Sequence, residues 1–101
     1  MLDIIDINIL KNFNKLGKNK EISIWKMMRR IFPKGSHREE MLVKRRIEKM
    51  EKFGLFIIEK NSPKRYSMIS DNVIFKKSSF FGRVNNSIHL KINGKGVILE
   101  L

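Results

Sequence analysis

The chain has 101 residues, 22 Lys and Arg against 10 Asp and Glu, a formal net charge of +12, and no cysteine. That length makes one domain with a modest core, and the charge points to a polyanionic partner, either nucleic acid or an anionic surface. The composition excludes disulfide and thiol chemistry, and no apolar run approaches the roughly 20 residues of a membrane span. The opening segment MLDIIDINIL carries acids and no basic stretch, which argues against a secretion signal. The expectation is an intracellular, cytoplasmic protein without a membrane partner.

Taken in order, Asp6, or Asp3 one turn earlier, caps a first helix that ends before Gly17. Ile9, Phe13 and Leu16 keep helical spacing on it, with Leu10 beside them. Lys11, Lys15 and Lys18 read first as a solvated face and second as phosphate contacts. Lys18-Asn19-Lys20 is a polar loop, and Ile22 adds a short strand. Ser23 caps a second helix through Phe32, with Ile24, Met27, Met28 and Ile31 on its apolar side. Trp25 is expected in the core or at its edge. Arg29 and Arg30 lie near the turn Phe32-Pro33-Lys34-Gly35-Ser36, where the proline stops the helix and the glycine allows a sharp bend.

Ser36 and Glu39 have the spacing of a capping box, and Gly54 is a natural residue after a helix end, so a third helix runs from His37 to near Phe53. Val43, Ile47 and Met50 mark its buried stripe. At about 100° per residue, Arg38, Met41, Arg45 and Lys52 fall on the opposite side, flanked by His37, Glu48 and Lys49. Twelve Lys or Arg stand between Lys11 and Arg46 against Glu21, Glu39 and Glu40, so most of the excess charge sits on the helical part.

Leu55–Lys60 and Arg65–Ser70 read as a hairpin around Asn61-Ser62-Pro63-Lys64. With Lys60 opposite Arg65, Glu59 opposes Tyr66, Ile57 opposes Met68 and Phe56 opposes Ile69. The base is apolar and the tip carries Lys60, Asn61, Lys64 and Arg65. From Asp71 onward, Val73-Ile74-Phe75, Phe80, Val84, Ile88, Leu90, Ile92, Val97, Leu99 and Leu101 point to a three-stranded meander. A turn at Asn93–Gly96 pairs Ile92 with Val97, Leu90 with Leu99 and Ile88 with Leu101. A three-residue loop at Asn85-Asn86-Ser87 pairs Val84 with Ile88 and Phe80 with Ile92. One apolar face of this sheet must be covered, by the rest of the chain or by a second copy.

The stretch KGSHREEMLVKRRIEKMEKFGLFIIEKNSPKRYSMI resembles the recognition helix and wing of a winged helix-turn-helix domain, and the likeness extends from Ile7 to Ser70. The resemblance implies an α+β fold: three helices and a wing hairpin over residues 1–70, followed by an antiparallel meander over 71–101 that packs on the same domain or dimerises. It implies a transcriptional regulator that binds double-stranded DNA, often as a homodimer on a two-fold site, lying on the nucleoid or, for a viral protein, in the host cell. Lys34, Ser36, His37, Arg38, Met41 and Arg45 then approach the major groove. Arginine there makes bidentate bonds to guanine, and methionine meets a thymine methyl. Lys44, Lys49 and the tip residues Lys60, Asn61, Lys64 and Arg65 hold phosphates or the minor groove, and Arg29 and Arg30 cross the backbone. The alternatives are a nonspecific architectural DNA-binding protein and a winged helix that binds RNA or protein.

Catalysis needs convergent nucleophiles, bases or metal ligands. His37 and His89 are the only histidines. Glu39 is used by the cap, His89 falls on a polar strand face, and Gly94 and Gly96 belong to a hairpin turn rather than a phosphate loop. The expectation is no enzyme, no metal, no cofactor and no small-molecule ligand.

Overall fold

In the computed structural model, which describes residues 2–101, the chain is α+β: three helices and two three-stranded antiparallel sheets. Met1, the first residue of the segment read against a secretion signal, lies outside the described residues. The first helix, α1 (Ile4–Leu16), settles the choice of cap. Asp3 is its N-cap, accepting from the N–H groups of Ile5 at 3.0 Å and Asp6 at 3.1 Å, while the Asp6 carboxylate reaches back to the Asp3 N–H at 3.0 Å. Asp6 is thus the third helical residue of a capping box and not the cap itself. It is fully buried, which an N-cap at the surface would not be.

Strand β1 (Ile22–Ser23) leads into α2 (Ile24–Ile31), whose N-cap Ser23 accepts the Lys26 N–H at 3.3 Å. Met27 and Met28 are its buried residues. Trp25 is 44% exposed and belongs neither to the core nor to the residues packed against it, where it was expected in the core or at its edge; it stands one position outside the Ile24, Met27, Met28, Ile31 stripe. Gly35 does not have a positive φ. Its role is close approach: a Cβ there would overlap Met28 Sδ and come within 3.0 Å of Phe32.

Helix α3 (His37–Lys52) opens on the expected capping box, with the Glu39 carboxylate accepting from the Ser36 N–H at 3.1 Å and its hydroxyl at 2.8 Å. Those two donors hold the Glu39 carboxyl below its usual pKa. Val43, Ile47 and Met50 are buried as the stripe predicts. At the other end Gly54 takes φ +84°, its N–H donates to the Glu51 carbonyl at 2.9 Å, and the Leu55 N–H donates to Met50 at 3.0 Å. This is a Schellman closure, which satisfies the last helical carbonyls.

Strands β2 (Phe56–Asn61) and β3 (Lys64–Met68) form the hairpin, and β1 pairs with the far edge of β3, giving the order β1-β3-β2. Lys60 opposes Arg65 as expected, but the ladder slips at Glu59, so Ile58 faces Tyr66, Ile57 faces Ser67 and Phe56 faces Met68. The Glu59 bulge corrects the expected register below the tip. The displaced carboxylate accepts the Ser67 hydroxyl at 2.6 Å. The bulge keeps both Phe56 and Tyr66 in the core, where the rings of Phe13 and Phe56 meet at 4.5 Å.

After a 3₁₀ turn (Ser70–Asn72), β4 (Val73–Phe80), β5 (Arg83–Ile92) and β6 (Lys95–Glu100) form the second sheet in sequential order. Its turns differ from expectation. The β4–β5 turn is Phe81-Gly82, and Asn85-Asn86-Ser87 lies inside β5. The β5–β6 turn is Asn93-Gly94, which sets Leu90 against Val97 and Ile88 against Leu99. Both turns place their two residues at positive φ, the tight geometry that matches the twist of paired strands. The expected β5–β6 pairing is off by two residues, so the face survives the error. Val73, Ile88 and Leu90 join the core formed by the helices and first sheet, with Phe75, Ile92, Val97 and Leu99 packed against it. The helix-closing turn ties the sheets together: the Leu55 carbonyl accepts the Ile69 N–H at 2.9 Å, Gly54 accepts from Asn72 Nδ2 at 2.8 Å, and Phe53 accepts the Asn93 N–H at 3.2 Å.

Candidate nucleic-acid interface

The cations of this chain fall into two sets, those held by carboxylates and those left to solvent. The first set lies on the seam between α1 and α3. Arg46 bonds Asp3 and lies 3.5 Å from Asp6, and Lys49 Nζ reaches Asp6 Oδ2 at 2.6 Å. The Arg46 hydrogen bond is the main reason the Asp3 carboxyl is pulled down from 3.8 to about 2, and the same bond raises Arg46. Lys49, expected at phosphate, is therefore turned toward α1, because Asp6 is buried and supplies an opposite charge from the adjacent helix.

The hairpin has a similar arrangement. Glu21, just before β1, lies 3.5 Å from both Lys60 and Arg65. Part of the tip charge expected at phosphate is balanced within the molecule. Asn61 and Lys64 remain exposed at the tip.

The second set is spread over the molecule, and part of it lies around the outer face of α3. Arg38 and Arg45 are exposed, with half-buried Met41 between them; together with Glu39 and Leu42 they line a shallow concavity along the helix. Leu42 was not foreseen there. A groove beside it runs between α3 and the hairpin, bounded by Trp25, His37, Met41, Lys44, Pro63 and Lys64. This groove joins the start of α2, the third helix and the hairpin tip, three segments remote in sequence. Among the described residues Arg30, Lys34, Arg38, Lys44, Arg45 and Lys64 pair with no carboxylate.

The remaining predicted residues have structural partners. Arg29 Nη1 donates to the Gly35 carbonyl at 3.4 Å, tying α2 to the turn that introduces α3. Ser36 is engaged with Glu39. His37 is exposed with its Nδ1 3.1 Å from Glu40 Oε1, so its ring is engaged by a carboxylate in the first turn of α3. Trp25, expected in the core or at its edge, forms one wall of the groove. The readable signal was its offset from the apolar stripe of α2.

Among the described residues there is no group of three His, Cys, Asp or Glu placed to hold a metal ion, and no helix is long and apolar enough to cross a membrane. No family model, curated protein or solved structure matches the chain.

Proposed function

We propose that the chain binds double-stranded DNA as a winged helix-turn-helix protein, with α3 as the recognition helix and the β2–β3 hairpin as the wing, and that it acts as a transcriptional regulator. One observation carries the reading: the chain pairs its inward cations with carboxylates while leaving Arg38 and Arg45 unpaired on the exposed face of one helix, with Met41 between them. A helix fits the major groove, where this trio offers two guanine-directed forks and one thymine-methyl contact. Lys34 at the preceding turn, Lys44 in the groove and Lys64 at the hairpin tip are spread to either side, as phosphate contacts would be. Arg30 stands exposed on α2, available to a phosphate. The Glu21 pairs leave Lys64 and Asn61 as the main outward groups of the wing. The resemblance to dimeric regulators makes a homodimer on a two-fold site the expected assembly.

Titration of labelled duplex against salt tests the electrostatic part. With three to five phosphates neutralised, log K should fall with log salt at a slope of about −3 to −5. A flat response contradicts the proposal, and tighter binding of tRNA than of duplex would replace it with the RNA-binding alternative. A single protected motif on genomic fragments supports a regulator, whereas uniform coverage supports the architectural reading.

A further inference from the structure

The β4–β5 hairpin has no part in the interface above. Strand β6 covers β5 from Ser87 to Ile92, and the Leu101 N–H donates to the Asn86 carbonyl at 2.9 Å, so from the Ser78–Asn85 pair outward the chain is a two-stranded ribbon. With four residues from Ser78 to Phe81, it reaches roughly 13 Å at about 3.3 Å per residue. Its tip is apolar and open to solvent: Phe80 is 67% and Phe81 90% exposed, and their rings touch edge to face at 4.3 Å. Lys76 and Lys77 at its root and Arg83 along it stand exposed and have no carboxylate partner among the described residues. No acid occurs between Asp71 and Glu100, against five basic residues. The root of the ribbon continues this charge onto α1, where Lys11 lies beside Phe75, Lys76 and Lys77 in one shallow groove.

We infer that this ribbon is a second DNA-contacting arm, in which Lys76, Lys77 and Arg83 hold phosphates and the paired rings of Phe80 and Phe81 wedge into a base step. The inference rests on the DNA-binding reading of α3 and adds a separate surface to it. Exposed phenylalanines on a freestanding ribbon contribute nothing to the core, and their apolar surface is a cost in water unless a partner covers it. The cations around them select a polyanion, and a nucleic acid is the polyanion whose interior offers flat apolar surface between its charges. Apolar side chains placed between base steps in this way unstack and kink the duplex. Ser78, Ser79 and Asn85, exposed on the ribbon just below the tip, and Asn86, exposed at its root, supply hydrogen-bonding groups for sugars and base edges. The same four residues disfavour an anionic bilayer, which would have to desolvate them to take the rings deeper than the headgroups.

The test compares the full chain with the Phe80→Ser/Phe81→Ser double variant and with Arg45→Ala. Readouts are affinity for an end-labelled duplex, energy transfer between its ends, affinity for phosphatidylserine-containing vesicles, and sedimentation. The double variant should keep the wild-type melting temperature, lose about tenfold in duplex affinity and abolish the bend seen with wild type. Unchanged affinity and bend in the double variant, with Arg45→Ala weakened, overturn the arm and leave the α3 reading standing. If wild type binds no duplex, both readings fall. Loss confined to vesicle binding makes the tip a membrane contact, and conversion of a dimer to monomers with duplex affinity intact makes it a self-association surface; either result overturns the arm.

Discussion

The two sides of α3 carry the same kind of residue and put it to different uses. On the α1 side, Arg46 and Lys49 meet Asp3 and Asp6 across the helix seam, and Asp6 is fully buried. On the outer side, Arg38 and Arg45 meet solvent and no carboxylate among the described residues. A cation beside a buried carboxylate is part of the fold, because removing either partner strands a charge. A cation left unpaired beside others of its sign is repelled at home and stabilised by an incoming anion. Net charge alone cannot separate these cases; the placement of three acids, Asp3, Asp6 and Glu21, does so.

This contrast is broken most severely at Asp6. Asp6→Ala should cost roughly 2–4 kcal/mol of stability, less than for a dry pair because Arg46 and Lys49 both reach solvent. Urea unfolding measures it, and a loss below 0.5 kcal/mol, the range of ordinary surface changes, would make the seam ornamental. On the outer side, Arg45→Ala should leave stability nearly unchanged and reduce discrimination between a preferred duplex and random duplex by about 1–3 kcal/mol. An unchanged ratio of the two affinities removes Arg45 from base reading. Lys64→Ala should weaken both duplexes alike and make the salt slope shallower by about 1, with no change in their ratio.

The smallest effect is on acid stability. The Asp3 carboxyl is lowered in the fold, so its contribution is fully present above the usual 3.8 and is lost as pH falls toward about 2. Asp3→Asn should therefore flatten the acid limb of stability between those values and leave the curve above pH 5 parallel to wild type. A variant whose acid limb coincides with wild type would show that the Arg46 bond does not persist in solution.

Sequence revealed α3 well because its determinants are local. Ser36 and Glu39 are three residues apart, Gly54 and Leu55 close the helix through bonds to Glu51 and Met50, and the Val43, Ile47, Met50 stripe needs only helical spacing. The outward direction of Arg38 and Arg45 followed from the same periodicity. What depended on contacts between segments was not legible. Lys49 and Asp6 are 43 residues apart, so no local rule turns that lysine inward. The Glu59 bulge is coupled to Ser67 across the hairpin, which a count outward from the tip cannot anticipate. The β4–β5 turn was sought in polar Asn85-Asn86-Ser87, yet it sits at Phe81-Gly82, because glycine at positive φ outweighs the rule that turns are polar. That error also concealed the apolar tip, since Phe80 had been assigned to a buried sheet face. Trp25 was misplaced on residue type, although its position on α2 already set it off the buried stripe.

Selection of bound sequences from a random duplex pool, run in parallel with wild type, Arg38→Ala, Arg45→Ala and Lys64→Ala, tests the central claim most directly. Wild type should enrich one motif, each arginine variant should lose preference at a different position within it, and Lys64→Ala should return the whole motif at lower yield. A wild-type pool that stays random, or arginine variants that return the motif intact, would contradict the assignment of the outer face of α3 to base reading.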